Sequence, residues 1–153
     1  IQCNVVIRGG WIGNYVHIYD CVSIEQGRPP HPSTTANGVA DRLVIGDHCW
    51  INHGATMHGT RMGDGSAVGL NACCDYNTRL GAGAVLANGS ATCVDQVIPE
   101  NAYAQGVPAR VVQEHLTDAD RKRIFGLVPT EWTRMGGEDL EAAYARRMGG
   151  SKG

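Results

Sequence analysis

The sequence predicts an all-β chain wound into a parallel β-helix, and three observations carry this prediction. The first is a row of mostly apolar residues spaced by six positions, with one step of five. Its members are Ile45, Ile51, Met57, Met62, Val68, Cys74, Leu80, Leu86, Thr92 and Ile98. The second is a companion row of small or apolar residues two positions earlier, which runs from Leu43 to Ser90 and is broken at Gln96. The third is glycine one position after a row member, at Gly46, Gly63, Gly69 and Gly81.

A period of six fits neither a helix nor a simple strand. A helix repeats its face about every 3.6 residues and a strand every 2, so six residues with two inward positions require a strand plus a turn. Three such units close one triangular coil. Repeats of the form Ile-Gly-x-x-x-x resemble those of left-handed β-helices, which are exceptions to the usual right-handed crossover. We therefore predict a left-handed parallel β-helix of hexapeptide repeats with a C-terminal α-helical segment.

The 153 residues form one domain by length, divided into a β-helix over residues 1–112 and helices over residues 113–153. The upstream row continues through Ile12, Ile18, Ile24 and Pro30, and a polar, Pro- and Gly-containing loop over residues 31–42 interrupts it. If Pro30 ends the third side of a coil, then Ile45, Ile51 and Met57 occupy the first, second and third sides of the next coil. The loop is then an insertion at a corner.

The C-terminal part closes the open end of the β-helix. The stretch PENAYAQGVPARVV after Ile98 predicts a closing turn and an edge strand. Thr117 predicts a helix N-cap, with a first helix to about Leu127 and a second over residues 138–147. These helices are expected to pack on the β-helix or on a neighbouring subunit.

Charge and cysteine content limit the classes of function. A net charge of −2 and a pI near 6.3 argue against nucleic acid or an anionic membrane as partner and leave small-molecule substrates open. Two of the six cysteines, Cys49 and Cys74, fall on inward positions and predict buried thiols rather than disulfides. A soluble, cytoplasmic protein is expected. The chain starts at Ile1 in what the repeat predicts to be mid-coil, so part of a preceding coil or a targeting segment is expected to be missing.

The repeat also sorts the six histidines by side. His58 follows Met57 by one residue and His31 follows Pro30 by one, so both are expected on the same side of successive coils, about 4.8 Å apart. His53 follows Ile51 by two and belongs to the next side, from which it would complete a site on an adjacent subunit of a homotrimer. Three neutral imidazoles with an open fourth position suit a catalytic zinc, and also cobalt or iron.

The other histidines are weaker candidates for metal ligands. His17 is the rival third ligand, since it precedes His53 by 36 residues, which are two whole coils of the predicted repeat, although it lies on a different edge from His58. His48 and His115 are interpreted as solvated. Surface or turn positions remain the alternative interpretation of His53 and His58.

These residues carry a family resemblance. The segment IGDHCWINHGATMHGTRMGDGSAVG resembles the gamma-class carbonic anhydrase family, with its Gly-His and Leu-His-Gly elements. SIEQGRPPH is similar to that family's Asn-Ile-Gln-Asp-Gly-x-x-x-His, which places His31 on a metal ligand. VVIRGG and GVPARVV resemble the family's Val-Ile-Arg-Gly-Asp and its closing Gly-x-Pro-Ala-Lys-Val, so the likeness covers roughly residues 5–112.

The resemblance implies a metal-dependent hydratase that interconverts CO2 and bicarbonate through a zinc-bound hydroxide. It implies His31, His53 and His58 as metal ligands, with Glu25, Gln26, Ser23 and Arg8 as the catalytic residues around them. Glu25 would orient or deprotonate the water, and Arg8 would order the subunit interface or lose its usual salt bridge.

Several residues depart from the family pattern. Glu25 stands for the family's Gln, Gln26 for Asp and Ser23 for Asn, and Gly10 replaces the Asp that partners Arg8. Changes around a ligand set typically cost about 10 to 100-fold in metal affinity or activity.

Two other functions fit the repeat. Hexapeptide acyltransferases share the repeat and a Gly-x-Pro-Ala ending, and they need one general-base histidine in a cleft between subunits, with acyl-CoA and no metal. A non-catalytic β-helix scaffold is the third interpretation, against which the three retained histidines argue.

Overall fold

A computed structural model describes residues 1–26 and 43–125. The described residues form fifteen short strands and one helix. The strands are β1 (Val6–Arg8), β2 (Trp11–Ile12), β3 (His17–Ile18), β4 (Ser23–Glu25), β5 (Val44–Ile45), β6 (Trp50–Ile51), β7 (Thr56–His58), β8 (Arg61–Met62), β9 (Ala67–Val68), β10 (Cys73–Cys74), β11 (Arg79–Leu80), β12 (Val85–Leu86), β13 (Val97–Ile98), β14 (Tyr103–Gln105) and β15 (Arg110–Gln113), and the helix is α1 (Asp118–Phe125).

The strands stack into three sheets that the chain visits in turn. Sheet A has the order β1-β4-β7-β10, and sheet B has the order β2-β5-β8-β11-β13. Sheet C has the order β3-β6-β9-β12-β14, and β15 adds to its end as the one antiparallel strand among the described residues. All other pairings are parallel, so the predicted parallel β-helix of hexapeptide repeats is confirmed, and β15 is the predicted closing edge strand.

The inward rows predicted from the sequence form the core. Every row member from Ile45 to Ile98 is buried, and so is every companion from Leu43 to Ser90. Gln96, which breaks the companion row, lies where the coils end: its amide donates to the carbonyl of Ala109 at 2.8 Å and accepts from the N–H of Cys93 at 2.9 Å. A polar side chain replaces a small one there because it ties the last coil to the closing turn.

The glycines after the row mark close contacts between coils. A Cβ atom on Gly63 would lie 2.5 Å from the backbone nitrogen of Ala82, and one on Gly81 would lie 2.5 Å from that of Glu100. No side chain fits at such a distance, since atoms of adjacent coils already touch. Gly54 has a different reason, because its φ of +71° is the left-handed turn conformation that glycine adopts without strain.

The third side of the coil before the insertion is formed by Ile24, whereas the sequence predicted Pro30 there. Ile24 pairs with Met57 in sheet A, and Ile12 pairs with Ile45 in sheet B, so Ile24 already fills the third side of its coil. The insertion therefore falls between β4 and β5. The proposed loop over residues 31–42 and His31 itself lie outside the described residues. The residue that pairs beside His58 on the preceding strand is Glu25, where the sequence predicted His31.

Helix α1 begins where the sequence predicts. The hydroxyl of Thr117 accepts from the backbone N–H of Asp120 at 3.2 Å, and Asp120 Oδ2 accepts from the backbone N–H of Thr117 at 3.0 Å. Buried Arg121 anchors the helix to the coils through Gly83 and Asn101. The second predicted helix lies outside the described residues. Within the described part of the chain, no helix is long and apolar enough to cross a membrane.

Candidate functional site

A column of polar side chains runs across the outer face of sheet A. Arg8, Glu25 and His58 follow the inward residues of β1, β4 and β7 by one position, and the register pairs them directly. Glu25 Oε2 lies 3.7 Å from Nη1 of Arg8, and Glu25 Oε1 lies 3.4 Å from Nε2 of His58. One carboxylate therefore stands between a guanidinium and an imidazole that come from the coils before and after it.

The next coil completes one wall of this column. The ring of Tyr76 lies 4.8 Å from the ring of His58, tilted by 32°. His58 and Glu25 are both partly covered, with 27% and 29% of their side chains exposed, whereas Arg8 is 64% exposed. The imidazole thus has Glu25 on one side and an aromatic ring on the other.

His53 lies at the corner that leads from sheet C to sheet A, with partners of its own. Its Nδ1 lies 3.5 Å from Oδ2 of Asp20, and its ring is 4.8 Å from the ring of Tyr19. Tyr19 stacks in turn on Trp50 at 5.2 Å, and burial raises the pKa of Tyr19, which favours the neutral phenol. His53 and His58 therefore face different carboxylates within one chain.

Two other predicted site residues, Ser23 and Gln26, lie on β4 and directly after it. Ser23 lies on the outer face of β4, opposite Thr56, two residues before Glu25. The backbone N–H of Gln26 donates to the carbonyl of Arg8 at 3.0 Å. Gln26 also lines a surface groove of about 490 Å³ with Gly10, Trp11, Leu43 and Val44.

The rival histidines have other neighbours. His17 pairs with Trp50 and stacks on it at 5.7 Å on sheet C, away from the column of sheet A. The coils of His17 and Trp50 are adjacent, so the two-coil separation expected between His17 and His53 is wrong. His48 stacks on Tyr15 at 5.2 Å.

The donors suit a metal, but the described residues of one chain do not gather three of them. Within residues 1–26 and 43–125, no group of three histidine, cysteine, aspartate or glutamate side chains could hold a metal ion. Two partly exposed imidazoles, each beside a carboxylate, are nevertheless the donor set and the supporting pairing typical of zinc sites. The chemistry of these side chains therefore fits a zinc ligand set, which the described residues of one chain do not complete.

The thiols near the core do not compete for this role. Burial raises the pKa of Cys49 to about 11, and burial followed by the charge of Cys73 raises that of Cys74. Burial, and then the charge of Asp75, also raise the pKa of Cys73. Since a thiol binds metal or attacks a substrate as the thiolate, the raised pKa values disfavour both roles for these three groups. The prediction of buried thiols at Cys49 and Cys74 is confirmed.

Sequence reasoning missed Asp20, Tyr19 and Tyr76. Asp20 follows Ile18 by two residues just as His53 follows Ile51 by two, and the two inward residues pair. With the insertion placed after β4, this matching position would have predicted the contact. Tyr76 is one coil beyond His58, but nothing in the repeat marks its ring as the one that turns toward the imidazole.

The three sheets with their six-residue repeat define the chain as a hexapeptide-repeat β-helix protein. No family model matches it. A probable carbonic anhydrase of Methanocaldococcus jannaschii is 35% identical over 127 residues, which cover 79% of this chain and 71% of that protein. The chain belongs to the gamma-class carbonic anhydrase-like family of hexapeptide-repeat proteins.

Other similarities point to transferases with the same repeat. Serine acetyltransferase 4 of Arabidopsis thaliana is 32% identical over 83 residues, which cover 48% of this chain but only 23% of that protein. Among solved structures, a hexapeptide transferase family protein from Anaplasma phagocytophilum has a TM-score of 0.66 at 17% identity, over 86% of this chain and 72% of that chain. At this identity the structural match supports the fold alone. The similarity to the probable carbonic anhydrase places the chain in an enzyme family.

Proposed function

We propose that the protein is a zinc-dependent hydratase that interconverts CO2 and bicarbonate. The observation that carries this proposal is the column in which Glu25 stands between Arg8 and His58, on a chain that is 35% identical to a probable carbonic anhydrase. A zinc ion held by imidazoles supplies a water whose pKa falls to near 7, a nucleophile at neutral pH.

The proposed ligands are His58, His53 and His31. Two of them are exposed enough to reach a shared ion, with 27% of the His58 side chain and 46% of the His53 side chain accessible. His31 is taken from the family resemblance, since it lies outside the described residues. Cobalt or iron would suit the same three imidazoles.

The chain's own residues would then position water and substrate. Glu25 Oε1, beside the imidazole edge of His58, would hold a proton of the attacking water and fix its orientation. Arg8 would keep the carboxylate turned toward His58, in place of the subunit-interface role expected for it. Ser23 and Gln26, on either side of Glu25 in the sequence, would border the path of CO2. Tyr76 would cover one side of His58 and limit its access to bulk water.

The site requires a homotrimer in this proposal. His53 contacts Asp20 and Tyr19, whereas His58 contacts Glu25 and Tyr76, so the two imidazoles have separate surroundings within one chain. In a closed three-fold assembly each interface joins two different faces, so the corner of one subunit would meet sheet A of the next. Three equal sites would result.

Metal analysis of the trimer tests the function. Protein purified without chelator should hold one zinc per chain and hydrate CO2 in a stopped-flow assay. His31→Ala, His53→Ala and His58→Ala should each lose tight zinc binding, while His17→Ala and the control variant His48→Ala should keep it. Wild-type protein that binds no metal and does not hydrate CO2 would overturn the proposal.

Subunit mixing tests whether the site is shared. Trimers of His53→Ala and trimers of His58→Ala should each be inactive alone. Random mixing of their subunits should restore about a quarter of the sites, because a working site needs His53 from a His58→Ala subunit and His58 from the neighbouring His53→Ala subunit. If one chain held all the ligands, mixing would restore nothing. A monomer that binds stoichiometric zinc in sedimentation experiments would likewise show that one chain holds the whole site.

An acyltransferase that uses acyl-CoA is the second candidate. The 32% identity to a serine acetyltransferase over 83 residues favours it, and His58 beside Glu25 has the arrangement of a general base with an orienting carboxylate. Calorimetry with CoA and a thiol-release assay with acetyl-CoA separate the two functions. The hydratase proposal expects no binding and no thiol release.

The proposed location is the cytoplasm. All six thiols, which all lie in the described part of the chain, are free, and Cys49 and Cys74 serve as small core residues. Free thiols persist in reducing compartments. Fractionation of the native host and detection of the protein with the cytoplasmic fraction tests this.

A further inference from the structure

The carboxylate of Asp20 lies between the preceding coil and the imidazole of His53. Its Oδ1 accepts a hydrogen bond from the backbone N–H of Cys3 at 2.8 Å. Its Oδ2 lies 3.5 Å from Nδ1 of His53. One oxygen is thus fixed to the backbone of one coil, and this fixes which way the other oxygen is turned.

The backbone around His53 is held by the coils on both sides. The N–H of Gly54 donates to the carbonyl of Asp20 at 3.0 Å, and the carbonyl of His53 accepts from the N–H of Asn71 at 2.9 Å. The ring of Tyr19 lies 4.8 Å from the imidazole, tilted by 51°. The imidazole therefore has a fixed base, an aromatic neighbour, and one nitrogen set against a carboxylate.

We propose that Asp20 is a positioning residue that holds His53 in the tautomer with its proton on Nδ1. A carboxylate oxygen attracts an N–H and repels a nitrogen lone pair, and the hydrogen bond made by one ring nitrogen decides which nitrogen remains free to bind a metal. The lone pair then lies on Nε2, the nitrogen remote from Asp20. The step from tautomer to zinc binding rests on the proposed function.

Asp20→Asn tests the role with little change in shape. Asn keeps an oxygen to accept from Cys3 and turns its amide NH2 toward His53, which favours the lone pair on Nδ1 and the proton on Nε2. Asp47→Asn is the matched control, since Asp47 Oδ1 also accepts a backbone N–H from the preceding coil, that of Asn14, at 2.6 Å. The control reproduces the structural part of the change at another corner.

The tautomer is read from long-range proton–nitrogen NMR spectra of the metal-free full chain at about pH 8, where an ordinary imidazole is neutral. Wild-type protein and Asp47→Asn should carry the His53 proton on Nδ1, and Asp20→Asn should carry it on Nε2. A wild-type proton on Nε2 would overturn the inference. The wild-type spectrum therefore tests the inference even if Asp20→Asn does not fold.

Zinc affinity of the full chain, measured by competition with a chelating dye, is the second readout. It should fall about 10 to 100-fold in Asp20→Asn and stay unchanged in Asp47→Asn. Wild-type affinity in Asp20→Asn would overturn the positioning role. If wild-type protein binds no zinc, the proposed function fails, and the tautomer of its His53 still decides the role of Asp20.

Discussion

Arg121 should decide whether helix α1 stays docked on the β-helix. Its side chain is 6% exposed, with Nη1 donating to the carbonyl of Gly83 at 2.6 Å and Nη2 donating to Oδ1 of Asn101 at 2.8 Å. Burial lowers the pKa of its guanidinium. The free energy gained from these two hydrogen bonds is therefore partly offset by the cost of removing the charge from water. Arg121→Met keeps the stem of the side chain and removes both hydrogen bonds.

The expected magnitude follows from these contacts. Hydrogen bonds to a charged group contribute about 1.5–3 kcal/mol each, or about 3–6 kcal/mol for two. Methionine avoids the desolvation cost and exposed Asn101 regains water, so the net loss should be about 2 kcal/mol of docking free energy. That corresponds to a roughly 30-fold loss of hydrogen-exchange protection in α1.

Native-state hydrogen exchange measures this loss amide by amide. Arg123→Met is the matched control, because Arg123 is 68% exposed and its ion pair with Asp120, at 3.5 Å, lies on the surface. It should change protection by less than about twofold. The strands of sheet A should keep wild-type protection in both variants. Equal protection of α1 in Arg121→Met and wild-type protein would refute the reasoning that these two bonds anchor the helix.

Two further changes test the site and the cap of α1. Glu25→Gln removes a negative charge 3.4 Å from His58 Nε2; CO2 hydration should be kept or raised, with the rate profile shifted to lower pH, because deprotonation of the attacking water becomes easier. An unchanged profile from about pH 6 to 9 would remove Glu25 from the mechanism. Hydrogen bonds from the backbone and then the hydroxyl of Thr117 lower the pKa of Asp120 to about 2. The charged carboxylate of Asp120 therefore stabilises α1 above about pH 4, and this stabilisation is lost as pH falls through about 2. Asp120→Asn should bring the protection of α1 at pH 5 to the wild-type value at pH 2, and a wild-type pH dependence in that variant would contradict this.

The core could be predicted from the sequence because the period alone fixes which positions face inward. Each coil repeats the same two inward positions, so Leu43 and Ile45 or Ala55 and Met57 are identified without knowledge of their neighbours. Gln96 breaks the rule because the coils end beside it, and the end of a stack has no internal signal in a periodic pattern.

The register across the insertion could not be predicted from spacing. Pro30 follows Ile24 by six residues, which is the spacing of a row member, so the period alone does not show where the insertion begins. Strand pairing decides instead, and it places Ile24 opposite Met57. One chemical signal existed: proline has no N–H to donate to the ladder, which argues against an inner strand position. With the insertion misplaced, the predicted register did not set Glu25 beside His58 or Asp20 beside His53, although the structure brings both pairs together.

The outward positions explain how one β-helix can serve different reactions. Ile24 is fully buried, while Glu25, the next residue, points outward with 29% of its side chain exposed. The fold therefore constrains the residue type strongly at position 24 and weakly at position 25, so either a carboxylate or an amide at position 25 changes the stability of the β-helix little. Function on this fold resides in outward columns built from successive coils. In this chain that column sets one carboxylate between Arg8 and His58, and the corner beside it sets another against His53. A general base needs one such pair, whereas a metal shared between subunits needs both, and the second pair is the physical reason to favour the hydratase.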